Sequence, residues 1–409
     1  MKHPAPILIS LLVMSVLAAT PALARQAAEP AAPVVHSDAE APDGLEVVHL
    51  EEMWRAGGED DEIFFGHVFR AEGDADGNVY LLDTQLSEVP VFSPDGEHVK
   101  TLSREGEGPG ESRGPAGLSM LPDGNLGILQ RFPGTIVKID LDGTPQGKYR
   151  VGEATEGGFH ALYTARCKGE HLMMVGQDAT MGEGRQDRTW FVSRFDAEGR
   201  ELDRLWTRDS VIDFTNPVIN ELDILDPCIF GSTVGPDGRI YLAADHDRYA
   251  INVYGLDGAL SHVIEREFTP RDREDRETGR IQAVFDVWAS RNPGVETHVE
   301  PHAASIANLH VDDDNNLWVE NSRSGGTGPA EAFLTFDVFD PDGHLRRQVA
   351  LVCEGDPLDD RLFWTRDDMV VLVKGAISAM FASMADGAAG DDEEAATDEM
   401  EVVCYRVPR

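Results

Sequence analysis

Apolar positions along the chain fall into short runs that Asp-Gly pairs separate. Some pairs stand shortly before a strongly apolar run, as Asp76-Gly77 does before VYLLD. Others end a run of alternating apolar residues, as in VPVFSPDG, which closes on Asp95-Gly96. Because Asp-Gly between such runs is a strong hairpin signal, the pattern predicts β-hairpins along most of the chain.

These turns form an internal repeat. The two kinds alternate, so each unit contains four strands, a to d, with an a–b turn and a c–d turn. Neighbouring a–b turns are 45 to 77 residues apart. The a–b turns are Asp76-Gly77, Asp123-Gly124, Lys168-Gly169, Asp237-Gly238, Asp314-Asn315 and Asp367-Asp368. A four-stranded unit repeated six times predicts an all-β fold, a six-bladed β-propeller with four-stranded blades.

The ends of the repeat predict how the ring closes. The sixth unit supplies strands a, b and c, the last at 402–407, and no strand d follows. The strand-like run at 45–54 (LEVVHLEEMW) belongs to no unit. Placed as the missing outer strand, this N-terminal strand closes a propeller that spans 45–409 and protects an exposed sheet edge.

Three segments interrupt the repeat. Residues 267–302 lie between blades 4 and 5 and contain a helical stripe of Ile281, Val284, Phe285 and Trp288. The expected helix caps one end of the propeller, binds a partner or covers the channel mouth. Residues 384–399 are rich in acids and predict a mobile loop, with contact to Ca²⁺ or a basic partner as the alternative. Residues 177–189 predict a polar surface loop.

The N-terminal segment predicts export. Residues 1–24 combine Lys2, an apolar run over 7–19 and small residues before a cleavage point after Ala24, which is typical of a signal peptide. The run is too short for a membrane anchor, and no other stretch predicts a transmembrane span. Residues 25–44 predict a disordered leader. The mature chain is then periplasmic or secreted.

The net charge of the chain limits the kinds of partner it can bind. The chain has 35 Lys and Arg against 74 Asp and Glu, a net charge of −39, which argues against a nucleic-acid partner.

The four cysteines of the chain form no C-x-x-C motif. They are either four buried thiols or two disulfides, which export would permit. The candidate pairs are Cys167 with Cys228 and Cys353 with Cys404.

Three stretches resemble one known family. They are REGEGPGE at 104–111, GPAGLSMLPDGN at 114–125 and ANLHVDDDNNLWV at 307–319. They are similar to the bacterial exported six-bladed β-propeller family, relatives of NHL-repeat proteins. The resemblance covers about residues 45–409 and implies the fold and export. It does not imply an activity, because this fold hosts binding modules, lactonases and lyases.

The starts of the a strands carry the candidate chemistry. His67, His160 and His302 occur in blades 1, 3 and 5, and three imidazoles around one axis could hold a catalytic Zn²⁺. This arrangement is similar to the zinc site of peptidylglycine amidating lyases. However, the three residues differ in their distance from the a–b turn, and a slip of one residue reverses a side chain in a strand. The alternative is that the three histidines have unrelated roles. His310, inside strand a of blade 5, is a further candidate for the same position.

Calcium is the second candidate metal. Asp74-x-Asp76 and Asp312–Asp314 resemble the start of a calcium loop but lack its glycine, so they predict turns. Glu72, Asn220 and Asn308 are candidate calcium ligands by analogy with lactonase-like propellers, which hold Ca²⁺ with Glu, Asn and Asp side chains.

The sequence as a whole predicts an exported, monomeric scaffold. We expect it to bind a protein, peptide, carbohydrate or other ligand without a dedicated cofactor. A metal-dependent lyase or hydrolase, with Zn or Ca at the channel mouth, is the main alternative. A structural or envelope-associated role without a dedicated ligand is the third.

Overall fold

The aspartate that begins each D-x-D-G sequence stabilises a hairpin turn with its side chain. Asp140 accepts hydrogen bonds from the backbone N–H groups of Asp142 (3.0 Å) and Thr144 (2.7 Å). Asp340 makes the same pair of bonds in blade 5. Gly143 adopts a φ of +88°, a conformation that glycine reaches without steric cost. The repeated D-x-D-G sequence therefore fixes where each pair of strands reverses.

The structure, a computed structural model, describes residues 32–37, 40–58, 62–152, 158–291, 294–389 and 400–408. The predicted signal peptide at 1–24 lies outside these residues. None of the helices within them is both long enough and apolar enough to cross a membrane.

Six four-stranded antiparallel sheets form the blades of a propeller. Three strands precede them: β1 (Val34–Ser37), β2 (Leu45–His49) and β3 (Glu51–Gly57). Blade 1 contains β4 (Val68–Gly73), β5 (Val79–Asp83), β6 (Val89–Phe92) and β7 (His98–Leu102). Blade 2 contains β8 (Pro115–Met120), β9 (Leu126–Gln130), β10 (Thr135–Ile139) and β11 (Pro145–Arg150). Blade 3 contains β12 (Gly158–Lys168), β13 (His171–Gly182), β14 (Arg185–Phe195) and β15 (Glu201–Asp213).

The second half of the ring carries the helical insert. After β16 (Val218–Asn220), blade 4 contains β17 (Ser232–Val234), β18 (Ile240–Leu242), β19 (Ala250–Tyr254) and β20 (Leu260–Arg266). Helix α1 (Asp275–Arg291) and β21 (Glu296–His298) follow. Blade 5 contains β22 (Ile306–Val311), β23 (Leu317–Asn321), β24 (Leu334–Phe339) and β25 (Leu345–Val352). Blade 6 contains β26 (Arg361–Arg366), β27 (Met369–Val373), then helix α2 (Ala376–Ala389), and β28 (Glu401–Arg406).

Apolar clusters between neighbouring blades make up the core. One cluster joins each blade to the next, and a sixth joins blade 6 to blade 1. In that last cluster, the ring of Trp54 stacks on Phe92 with centroids 5.2 Å apart. The first strands of the blades contact one another around the axis, so they line the central channel.

The ring closes as predicted, through an N-terminal strand in blade 6. The closing strand is β3, and it pairs antiparallel with β28. The predicted limits were wrong for the first half of the run, because β2 pairs in parallel with β25 of blade 5 instead. Strand β1, within the segment for which the sequence predicts a disordered leader, pairs in parallel with β20 of blade 4. Both strands cover outer edges whose backbone groups would otherwise lack partners.

The predicted helix is present, and its apolar stripe is used internally. Ile281 and Phe285 of α1 pack against Ile219, and Phe381 of α2 joins the same cluster. This packing favours the capping interpretation of residues 267–302.

Two predicted loops are instead regular structure over part of their length. Helix α2 continues to Ala389 and so enters the predicted acidic loop; residues 390–399 lie outside the described part of the chain. Its alanine-rich sequence has a high helix propensity. Most of the predicted loop at 177–189 belongs to the long hairpin of β13 and β14.

The four cysteines are free thiols. Cys167 packs in the cluster between blades 2 and 3, whereas Cys228 packs between blades 3 and 4. Cys353 and Cys404 likewise belong to clusters on opposite sides of blade 6. Each candidate pair is thus separated by a sheet.

Candidate functional site

The three predicted zinc ligands have separate surroundings. His67 is buried just before β4, and its Nδ1 lies 3.0 Å from Thr84 Oγ1. Burial lowers the pKa of His67 to about 4. This imidazole is therefore neutral at physiological pH.

His160 is a packing residue between blades 2 and 3. Its Nδ1 lies 2.6 Å from Asp178 Oδ1 on the neighbouring strand, and its ring stacks on Phe191. A Cβ atom on Gly152 would lie 2.7 Å from His160 Cε1. The glycine thus leaves the space that the buried ring fills.

His302 has a third, more exposed environment. Its side chain is 45% exposed and its Nδ1 is 2.8 Å from Asp272 Oδ1. Across the ranges that the structure describes, no group of three or more His, Cys, Asp or Glu side chains could hold a metal ion. The structure thus does not bring His67, His160 and His302 together as such a group.

The proposed calcium residues serve other purposes. Asp74 and Asp312 accept bonds within their own turns, from Asn78 and Asn316 respectively, as the turn interpretation predicts. Glu72 and Asn308 both line the central channel, whereas Asn220 bonds Asp223 outside it. Strand position alone thus identified two channel residues but not their chemistry.

Two adjacent cavities, of about 30 and 240 Å³, lie in the central channel. Arg70, Arg166, Asn308 and Phe363 line both. Successive side chains in a strand point to opposite faces, so residues two apart share a side. The channel consequently has three levels. Arg361 lines only the smaller cavity, and Glu72, Lys168, His310 and Thr365 line only the larger one.

β-Bulges adjust which side chains reach the channel. The inner strands β4, β8 and β12 are each irregular at the equivalent position, near Phe69, Ala116 and Tyr163. A bulge lets two consecutive residues face the same side, and both Phe69 and Arg70 line the smaller cavity. The same irregularity makes counting from the a–b turns an unreliable guide to register.

The channel lining is basic, although the protein is strongly acidic. Its basic residues are Arg70, Arg166, Lys168, Arg361 and Arg366, and among the described residues Glu72 is the one acid that lines the two cavities. The whole chain has about twice as many acids as bases, 74 against 35. The concentration of positive charge in the channel is therefore a local property.

Two of these arginines have no carboxylate partner. Arg70 bonds Glu72 at 3.2 Å, but no described carboxylate lies within 4.0 Å of the Arg166 or Arg361 guanidinium. Arg166 donates to Thr164 Oγ1 at 2.5 Å and to the Ala165 carbonyl at 3.2 Å. An anion could bind both guanidinium groups without displacing a protein carboxylate.

The electrostatic cost of these arginines appears in their pKa values. Burial, together with repulsion from Arg70, lowers the pKa of Arg361 to about 10, although Glu320 opposes the shift. Burial and repulsion from Arg70 and Arg361 also lower the pKa of Arg166. An arginine guanidinium stays protonated in proteins, and a bound anion would stabilise the charged forms of both side chains.

The aromatic lining surrounds the arginine level. The Arg361 guanidinium lies over the ring of Phe230, 4.0 Å from its centroid. Tyr163, Phe69 and Phe363 complete the smaller cavity. This apolar wall limits competition from water, which strengthens a charge-assisted hydrogen bond. Sequence inspection for histidines missed this site, whose signal was basic residues within otherwise apolar inner strands.

Comparison with known proteins supplies no function. No family model matches the sequence, and no curated protein is significantly similar to it. Among solved structures, a candidate exported protein from Bacteroides fragilis is 11% identical with a TM-score of 0.45, covering 92% of this chain and 100% of its own. Regucalcin, a calcium-binding protein from Agrobacterium tumefaciens, is 10% identical with a TM-score of 0.40, covering 90% and 97%. Virginiamycin B lyase from Staphylococcus aureus is 10% identical with a TM-score of 0.38, covering 84% and 82%.

Proposed function

We propose that this protein is an exported, ligand-binding β-propeller whose central channel holds a small organic anion. The observation that carries the proposal is the pair Arg166 and Arg361, which line the smaller cavity and have no carboxylate partner within 4.0 Å in the described part of the chain. A planar guanidinium group matches a carboxylate through two parallel hydrogen bonds. The ligand class is therefore a small carboxylate.

The size and lining of the channel limit this ligand. A cavity of about 240 Å³ is smaller than a typical drug-sized pocket. Its wall contains hydroxyl and amide groups from Thr233, Thr365 and Asn308. These features suit a short organic acid rather than a folded protein partner inside the channel. A metal-dependent lyase or hydrolase is not proposed, because no group of three or more metal-ligating side chains occurs among the described residues to support it.

The first test removes the two guanidinium groups. We expect Arg166→Met and Arg361→Met to weaken pentanoate binding by roughly tenfold or more each, because a hydrogen bond to a charged group contributes about 1.5–3 kcal/mol. Isothermal titration calorimetry on the full chain measures the effect. Methionine retains much of the apolar stem, and a thermal melt checks folding.

Arg200→Met is the matched control. Arg200 is 75% exposed in the c–d turn of blade 3, so its loss should leave pentanoate binding unchanged. If wild-type protein binds no small carboxylate, or if both channel variants bind pentanoate as the wild type does, the proposal is wrong.

A further inference from the structure

We propose that the channel ligand is an elongated dianion whose second anionic group binds Lys168 in place of Asp313. This inference rests on the proposed function and specifies its ligand. It concerns the turn-side mouth, which we define as the channel end at the a–b turns, where Lys168, Asp313 and Asp367 lie.

Lys168 crosses the channel at this mouth. It is the last residue of β12 in blade 3, whose neighbours in the ring are blades 2 and 4. Its Nζ lies 3.0 Å from Asp313 Oδ1 of blade 5 and 4.0 Å from Asp367 Oδ1 of blade 6. The Asp313 N–H donates to Asp367 Oδ2 at 2.7 Å. The a–b turns of blades 5 and 6 therefore present their two carboxylates together to the Lys168 ammonium group. Because blade 3 does not adjoin blade 5 or blade 6, the Lys168 side chain must extend over the channel to reach these carboxylates.

The Lys168–Asp313 contact can be exchanged. The Asp313 side chain is 75% exposed and that of Lys168 is 31% exposed. Exposed ion pairs contribute only about 0–1 kcal/mol. A carboxylate on a ligand that is already held by Arg166 would compete as an intramolecular partner, at a high effective concentration. Asp313 therefore occupies a position that the ligand can take.

Arg166 and Lys168 occupy successive levels of the channel wall. Lys168 is two residues beyond Arg166 on β12, which corresponds to about 7 Å along the strand. The larger cavity lies between them, with His310 and Thr365 in its wall. A linear dicarboxylate can extend from one cation to the other.

The experiment compares two acids of equal carbon number, glutarate and pentanoate, by calorimetry on the full chain. Wild-type protein should bind glutarate roughly tenfold more tightly than pentanoate, since glutarate adds one charged contact. Lys168→Met should remove this preference, because it should weaken glutarate binding roughly tenfold more than it weakens pentanoate binding. The control Lys100→Met, in an exposed ion pair on the outer strand of blade 1, should keep the preference.

Asp313→Asn separates ligand binding from a structural role. It breaks the same ion pair as Lys168→Met, so a structural role would change glutarate binding in the same direction in both variants. We expect opposite directions, because Asp313→Asn removes a competitor and should strengthen glutarate binding several-fold. Equal wild-type affinities for the two acids, or parallel effects of the two variants, would overturn the inference. Arg166-dependent pentanoate binding would then leave the proposed function intact. A wild-type protein that binds neither acid overturns both.

Discussion

Part-buried arginines in this propeller differ in their partners. Two that lie outside the channel pair with carboxylates: Arg273 makes two bonds of 2.6 Å to Glu221, and Arg208 lies 2.5 Å from Asp226. In the channel, Arg166 and Arg361 have no such carboxylate among the described residues. A buried charge without a partner is costly. The contrast points to a counter-ion that comes from outside the chain.

A buried histidine should make stability depend on pH. The pKa of His67 is about 4 in the folded protein, against about 6.5 in an unfolded chain. Below about pH 6.5 the unfolded state takes up a proton that the folded state rejects. The contribution of neutral His67 is therefore complete above that pH and is lost as the pH falls towards about 4.

We expect His67→Asn to remove this dependence. Between about pH 7 and pH 4, wild-type protein should lose about 3 kcal/mol more unfolding free energy than the variant. Urea unfolding at several pH values measures the difference. Parallel stability profiles for the two proteins would contradict the prediction.

Among the elements, the N-terminal strands differ in what they contribute. Strand β3 places Trp54 and Ala56 in the cluster between blades 6 and 1, where both are buried. Strand β2 exposes Leu45 and Val47, although its backbone pairs with β25. The first strand closes the core, and the second mainly covers an edge.

This difference predicts unequal effects of truncating one side chain in each strand. Trp54→Ala should cost about 3–5 kcal/mol, as expected for a large buried aromatic residue. Val47→Ala should cost less than about 0.5 kcal/mol, as for most surface substitutions. Chemical unfolding of both variants provides the measurement. Similar losses would show that β3 does not anchor the ring.

At the scale of the whole molecule, the acidic surface and the basic channel act in opposite ways on an anion. A net charge of −39 repels a carboxylate during its approach. Salt screens such interactions beyond about 10 Å at 0.1 M. The association rate for pentanoate should therefore rise with ionic strength, contrary to the behaviour of an electrostatically attracted ligand.

Stopped-flow fluorescence can test this expectation, since Trp364 lines the larger cavity. The added salt should carry a bulky sulfonate that is too large for the channel. A rate that falls as salt is added would show that the basic mouth, rather than the overall charge, controls entry.

The sequence predicted the ring more completely than the channel. Asp-Gly turns are local signals, so all six blades and the closing strand could be found. Parallel pairing of β1 and β2 could not, because strand patterns do not show which edge a strand joins. The convergence of Arg70, Arg166 and Arg361 depends on three blades distant in sequence. The bulge near Tyr163 also displaced the register that the histidine prediction required.

Closure through β3 has a consequence for the order of assembly. Arg55 of β3 bonds Glu401 of β28, 346 positions later. During synthesis, blades 1 to 5 can each acquire their four main strands locally, whereas blade 6 must wait for a segment made long after its partner. Until then, Trp54 has no partner strand and the ring is an open arc with two unprotected faces. The interval between these two strands is thus the period in which the growing chain is most exposed to aggregation.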